Sequence, residues 1–279
     1  FTSKQDNFIS ILMPAPVIAA QTCDREVVTE YSSTTSRAVI QHDLTSGSNV
    51  YASLSEGFKA GGYATYECTE PYDPEEVTSL EFGYKGSLGE NTSLNASLFR
   101  YDYTDFQVLQ VVGIQTVTRN AGDATVNGLE LEALSNLNDS LSMSYGLTLL
   151  DATYGEFLNT NGLEPQLGQQ QLEGKYLNNA PKVSVNLGLN YTTNLSSGSS
   201  LTYRANAAYK SKIYFSEFNE YSQSAYTIVD LNLIWESADD RMRTRFYVKN
   251  ATDEEYISGY LSSATGGGRF GQWGYPRTA

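Results

Sequence analysis

Val183-Ser184-Val185-Asn186-Leu187-Gly188-Leu189-Asn190-Tyr191 alternates an apolar residue with a small or polar one at every step. Successive side chains of a strand point to opposite faces, so this stretch is a β-strand with one apolar and one polar face. The pattern recurs along the chain. Leu80, Phe82, Tyr84, Gly86 and Leu88 oppose Glu81, Gly83, Lys85 and Ser87, while Leu141, Met143, Tyr145, Leu147 and Leu149 oppose Ser142, Ser144, Gly146 and Thr148. Leu201, Tyr203, Ala205, Ala207 and Tyr209 oppose Thr202, Arg204, Asn206 and Lys210. Val229, Leu231, Leu233 and Trp235 oppose Asp230 and Asn232, and Met242, Thr244, Phe246 and Val248 oppose Arg241, Arg243, Arg245 and Lys249. The polar face carries Arg, Lys, Glu and Asn. One register changes parity: Leu94, Ala96 and Leu98 give way to Phe99, Tyr101 and Tyr103, which predicts a bulge or a strand rising out of a bilayer.

Connections alternate in length. Short polar turns are predicted near Thr45–Asn49, Gly89–Thr92, Asn136–Ser140, Asn194–Ser199 and Ser237–Arg241. Between them lie long stretches: Lys59–Val77, Gln107–Asp123, Glu156–Ala180, Lys212–Ser224 and Ala251–Arg269. In an up-and-down sheet this places every short turn at one end and every long loop at the other, as in outer-membrane barrels with short periplasmic turns and long extracellular loops. The strands are long enough for a tilted membrane crossing, which takes about 9–11 residues. No fixed-length repeat is present, which disfavours a propeller or solenoid.

The chain's last part reads Phe246-Tyr247-Val248-Lys249-Asn250-Ala251-Thr252-Asp253-Glu254-Glu255-Tyr256, then a Gly-rich segment, then Tyr275-Pro276-Arg277-Thr278-Ala279. A strand runs into a polar loop and a further strand is announced, which is expected of a piece of a larger closed β-structure.

Composition narrows the class. Of 279 residues, 21 are Tyr, 11 Phe and 2 Trp, with 18% charged and 40% hydrophobic, so the chain is neither disordered nor a helical membrane protein. No apolar run reaches the 18 or so residues of a spanning helix. A net charge of -14 argues against nucleic acid as a partner. Glu67, Glu70, Asp73, Glu75 and Glu76 read as a solvated acidic loop, with contact to a cation or a basic ligand as the alternative. The apolar Phe8–Ala20 stretch is interrupted by Pro14 and Pro16 and is expected in an irregular loop or strand end rather than a signal peptide. Cys23 precedes the strand descending to the Thr45 turn and Cys68 follows the strand ascending from it. Both are expected on neighbouring extracellular loops, within reach of a disulfide in an oxidising compartment.

Five blocks resemble TonB-dependent outer-membrane receptors, in the C-terminal half of their β-barrel. They are Asn49–Tyr63 with its Gly57-Phe58-Lys59-Ala60-Gly61-Gly62 core; Pro71-Tyr72-Asp73-Pro74-Glu75 followed by Leu80–Lys85; Asn120-Ala121-Gly122 with Asn127–Glu132; Asn179-Ala180-Pro181-Lys182; and Lys249–Tyr256. Each is weak alone, but their order and spacing across roughly residues 36 to 279 are specific. The resemblance implies an all-β, antiparallel up-and-down transmembrane barrel of which this chain supplies about 10–11 of about 22 strands. On that reading residues 1–279 are the C-terminal portion, with 1–35 mostly extracellular loop. The plug domain, the TonB box and the final strand after Pro276-Arg277-Thr278 are absent from it.

Other motifs yield to structural readings. Gly266-Gly267-Gly268-Arg269-Phe270-Gly271 satisfies GxGxxG but announces no helix, so it reads as a loop rather than a dinucleotide site. His42 is the only histidine, which removes most triads and His-based metal sites. Glu130 and Glu132 face inward on one strand and are expected to find basic partners such as Arg204 or Arg243. Asn91-Thr92-Ser93, Asn138-Asp139-Ser140 and Asn194-Leu195-Ser196 read as turn chemistry rather than glycosylation sites.

Two groups of aromatics follow. Tyr51, Tyr84, Tyr145, Tyr191, Tyr203, Tyr209 and Trp235 are assigned to apolar faces, as interfacial girdles. Phe106, Tyr154, Phe157, Tyr214, Phe215, Phe218, Tyr221 and Tyr260 lie in or beside long loops, where they either stack on a flat ligand or pack the loops together. The resemblance implies a Gram-negative outer-membrane active transporter for a ferric siderophore or similar scarce nutrient, energised through the TonB complex and embedded in outer-membrane lipid. No bond in the ligand is made or broken, so no catalytic residue, metal or cofactor is expected. A passive porin or adhesin-type barrel and a soluble β-sandwich binding module are the competing classes.

Overall fold

The computed structural model describes residues 2–5, 8–9, 22–23, 27–45, 47–63, 71–112, 115–161, 163–263 and 268–279. Its frame is one ten-stranded antiparallel meander in which each strand pairs with the next in sequence. The strands are β1 (Arg37–Thr45), β2 (Ser48–Lys59), β3 (Glu75–Leu88), β4 (Thr92–Thr104), β5 (Ala124–Asn138), β6 (Leu141–Tyr154), β7 (Val183–Asn194), β8 (Ser200–Lys210), β9 (Tyr226–Glu236) and β10 (Arg243–Val248). Among the described residues no helix is long and apolar enough to cross a membrane.

Short turns join β1–β2, β3–β4, β5–β6, β7–β8 and β9–β10, all at one end. Gly89 and Gly198 take the left-handed conformation that two of them need (φ 68° and 84°). The long connections contain small hairpins of their own: 107–112 with 115–120, 158–160 with 169–171, 213–214 with 222–223, and 257–263 with 268–273. Gly268–Gly271 therefore lies on a hairpin strand. Beyond that hairpin Thr278 bridges Lys249, with N–H···O bonds of 2.8 and 3.1 Å in the two directions, beside the end of β10.

Cross-strand partners share a face. Ala52, Phe82, Leu98, Leu129, Leu149 and Val183 follow one another from β2 to β7, and Leu189, Ala205, Leu231 and Val248 from β7 to β10. This face leaves large side chains uncovered, with Leu98 57% exposed. Such a continuous apolar wall suits lipid. The opposite face runs Tyr51, Gly83, Ser97, Glu130, Thr148, Ser184, and then Asn190, Arg204, Asn232, Tyr247. It is the polar lumen wall.

The register corrects two expectations. β4 pairs with both neighbours without a slip from Thr92 to Tyr103, so no bulge explains its change of parity. Instead the outer face turns polar at Arg100 and Asp102, level with Asn127 on β5 and Asp151 on β6. The strand rises out of the bilayer there, and Phe99, Tyr101 and Tyr103 line the lumen side. Tyr51 also belongs to the lumen face, because it pairs with Gly83 rather than with Phe82 or Tyr84. The other girdle aromatics are on the lipid face. Cys68, Glu67, Glu70 and residues 10–21 lie outside the described residues, and with them the Cys23–Cys68 pairing.

Candidate functional site

The lumen wall is built from alternate residues of long strands, so its chemistry is set by pairing. The Tyr51 ring lies over Gly83, where a Cβ would sit 2.2 Å from the ring. Its hydroxyl donates to Glu81 Oε1 at 2.5 Å, and Lys85 Nζ stands 5.2 Å from the ring centre. Phe99 covers Gly128 in the same way and stacks on Tyr101 at 4.8 Å. Further round, Arg204 Nε donates to Asn190 at 2.9 Å and Arg245 Nε to Asn232 at 2.8 Å. Arg243 meets Glu236 at 3.4 Å. Acidic Glu81, Glu130 and Glu132 thus stand on β3 and β5, whereas Arg204, Arg243 and Arg245 stand on β8 and β10. Glu130 and Glu132 do face the lumen as expected. They form no ion pair with either arginine; the sheet holds β5 away from β8 and β10, and the arginines bond to their own neighbours.

The hydrophobic core lies in the loops above the wall. Ala121, Tyr154, Phe157, Leu172 and Phe218 are buried together, with Phe106, Val108 and Leu177 packed against them. Rings connect edgewise from Tyr103 to Phe106 (5.3 Å) and Phe106 to Tyr154 (6.3 Å), then tilted to Phe157 (5.6 Å). Polar bonds fasten loop 155–182 to loop 211–225. Asn159 Nδ2 donates to Glu217 (3.1 Å), Asn161 Nδ2 to Glu220 (3.0 Å) and Lys175 Nζ to the Phe218 carbonyl (2.8 Å). Asn219 accepts from Tyr176 N–H (2.8 Å) and donates to the Tyr176 carbonyl (2.9 Å). Burial within this assembly pushes the Glu217 carboxyl above its ordinary range, against the smaller lowering effect of its hydrogen bonds.

The eight loop aromatics therefore fall into three places. Phe106, Tyr154, Phe157 and Phe218 belong to the loop core. Phe215, Tyr260 and Tyr221 form a half-buried stack, with Tyr260 5.8 Å from Phe215 and 5.2 Å from Tyr221. Tyr214 stacks on Tyr176 at 6.0 Å. Tyr226, on the lumen face opposite Lys210, stacks on Tyr256 at 4.6 Å. Tyr176, Tyr226, Tyr256 and Asn219 were not singled out from sequence. They sit in polar loops or at strand ends, where no periodicity marks them. No group of three or more His, Cys, Asp or Glu suited to a metal occurs among the described residues.

The TonB dependent receptor-like β-barrel family matches residues 19–251. The chain belongs to this family. It is 23% identical over 226 residues to the ferrioxamine B receptor of Salmonella typhimurium, covering 80% of this chain and 30% of that protein. Against the pesticin receptor of Yersinia pestis it is 26% identical over 228 residues, covering 80% and 32%. The chain thus spans about a third of the length of these relatives. Its fold superposes on the ferric yersiniabactin uptake receptor FyuA of Yersinia pestis with a TM-score of 0.72 at 20% identity, covering 92% of this chain and 37% of that one. For the siderophore receptor PiuA of Acinetobacter baumannii the TM-score is 0.70 at 21% identity, with 97% and 37% covered. As part of a TonB-dependent receptor barrel, the lipid-facing wall lies in the outer membrane of a Gram-negative cell. Its short turns face the periplasm and its loop core faces outward.

Proposed function

We propose that residues 1–279 form the C-terminal portion of an outer-membrane active transporter, with 1–35 mostly extracellular loop, that takes up a ferric siderophore or similar scarce nutrient. Uptake is energised by the TonB complex through a plug domain, and the ligand leaves chemically unchanged, so the protein is not an enzyme. The observation that carries this reading is a receptor-family barrel wall whose loops hold flat aromatic stacks above a polar lumen. The relative named as a ferrioxamine B receptor adds the ligand class. Phe215, Tyr221 and Tyr260 offer ring surface to a ligand, while Phe106, Tyr154, Phe157 and Phe218 hold the loops that present it.

Growth under iron limitation tests the proposal. A strain lacking the full-length gene is supplied with one ferric siderophore at a time, and radio-iron uptake is measured with and without TonB. At least one siderophore should lose TonB-dependent uptake. Tyr221→Ala with Tyr260→Ala in the full-length protein should weaken its binding by roughly tenfold, on the scale of one to two aromatic contacts. Uptake that is unchanged for every siderophore, or that proceeds equally without TonB, would overturn the reading in favour of a passive pore.

A further inference from the structure

Tyr214 and its partner Tyr176 stand on the outside of the barrel. Tyr176 bridges Thr153, which pairs with Thr125, which pairs with Asp102. All four are on the lipid-facing side, above the level where the apolar wall ends. Leu149 and Val183, which pair with each other, are the last apolar residues of β6 and β7 on that face; Asp151 follows on it, and Lys182, in the bend before Val183, reaches it through its contact with Tyr176. At this height two lysines are held against the two rings. Lys182 Nζ lies 4.1 Å from the Tyr176 ring centre and donates to its hydroxyl at 2.5 Å; Lys212 Nζ lies 4.5 Å from the Tyr214 ring centre. Both lysines are exposed, and the rings are parallel within 8°.

We propose that Lys182, Lys212, Tyr176 and Tyr214 form an outward-facing site for a phosphate-bearing lipid headgroup of the outer leaflet. Tyrosine rings at the membrane interface place their apolar bodies beside acyl chains and their hydroxyls among headgroups. Ammonium groups already oriented by those rings lose little freedom on meeting a phosphate, for which lysine is a suitable point charge. Arg100, on the same face, is taken: Asp102 accepts from its Nε and NH2 at 2.8 and 2.7 Å. Asp151 offers one carboxylate against the two lysines, which leaves the cluster a positive surplus. The site faces away from the lumen, so it is separate from nutrient binding and stands or falls independently of the transport reading.

The test uses the full-length protein in detergent, with purified bisphosphorylated lipid A, the same lipid dephosphorylated, and inorganic phosphate as probes, read by native mass spectrometry. The wild type should bind the bisphosphorylated lipid at least about tenfold more tightly than the dephosphorylated one. Lys182→Gln with Lys212→Gln should weaken binding by roughly thirtyfold, as two interfacial lysines imply, while the double arginine variant keeps it. Heat-modifiable gel mobility reports whether each variant is folded. If the glutamine variant is not, the comparison of the two lipids on the wild type decides. Equal binding of both lipids, or an unchanged affinity in a folded glutamine variant, overturns the proposal. So does displacement of the lipid by an equal concentration of inorganic phosphate, which would make this a free-anion site.

Discussion

At the residue scale, Gly128 and Glu217 carry consequences that can be measured. A Cβ at Gly128 would stand 2.1 Å from Phe99 Cζ, so Gly128→Ala must push the ring off the lumen wall and away from Tyr101. The expected cost is about 1–3 kcal/mol, typical of overpacking, and it should shrink when Phe99→Leu is added. Chemical denaturation of the full-length barrel in vesicles measures both. Glu217 has a folded-state pKa above its ordinary 4.5, caused first by burial. The folded loops therefore bind its proton more readily than the unfolded ones, and their stability is greatest below 4.5 and declines as pH rises through the raised value. Hydrogen exchange over residues 155–182 should accelerate with pH beyond its intrinsic base dependence. Glu217→Gln should remove that extra acceleration; an identical profile in the variant would refute the assignment.

At the element scale, each strand has one face for lipid and one for water, so neighbouring positions should answer the same substitution differently. Leu187, on the lipid face opposite Tyr145, should lose about 2–4 kcal/mol of barrel stability as Leu187→Arg. Asn186→Arg, one residue away on the lumen face, should be tolerated to within about 1 kcal/mol, since water can hydrate the charge there. In the loops one asparagine carries two of the bonds that join loop 155–182 to loop 211–225. Asn219 has φ 57° and makes two bonds to the Tyr176 backbone. Asn219→Ala strains the backbone and leaves Tyr176 N–H without its acceptor, at about 2–3 kcal/mol. Limited proteolysis should then nick residues 155–182 several-fold faster while the strands stay protected.

At the scale of the whole molecule, the ten-strand meander ends in β1 and β10 at its two edges. An open edge is not stable in lipid, where each unpaired backbone group costs several kcal/mol. Residues 1–279 expressed alone should therefore yield no heat-modifiable, urea-resistant barrel, whereas the full-length protein should. The sheet itself was legible from the chain. Period-two alternation places Leu187 against Asn186, and alternating connection lengths separate the Gly89 turn from the Glu156–Ala180 loop, because both are local signals repeated at every strand. Tyr51 was misplaced because its neighbours Val50 and Ala52 are apolar enough to hide the parity, and only pairing with Gly83 resolves it. The site was less legible. Sequence marked Tyr154 and Tyr260 alike as loop aromatics, yet one is buried at 4% exposure in the loop core and the other belongs to a half-buried stack. The class of the wall is readable from the chain alone, since strand patterning is a one-dimensional property. Which loop rings meet each other, and that Tyr176 with its lysines looks outward toward lipid, was decided only by tertiary structure. The ring–ring contacts join residues far apart in the chain, and the bridge of Tyr176 to Thr153 rather than any local pattern sets its side.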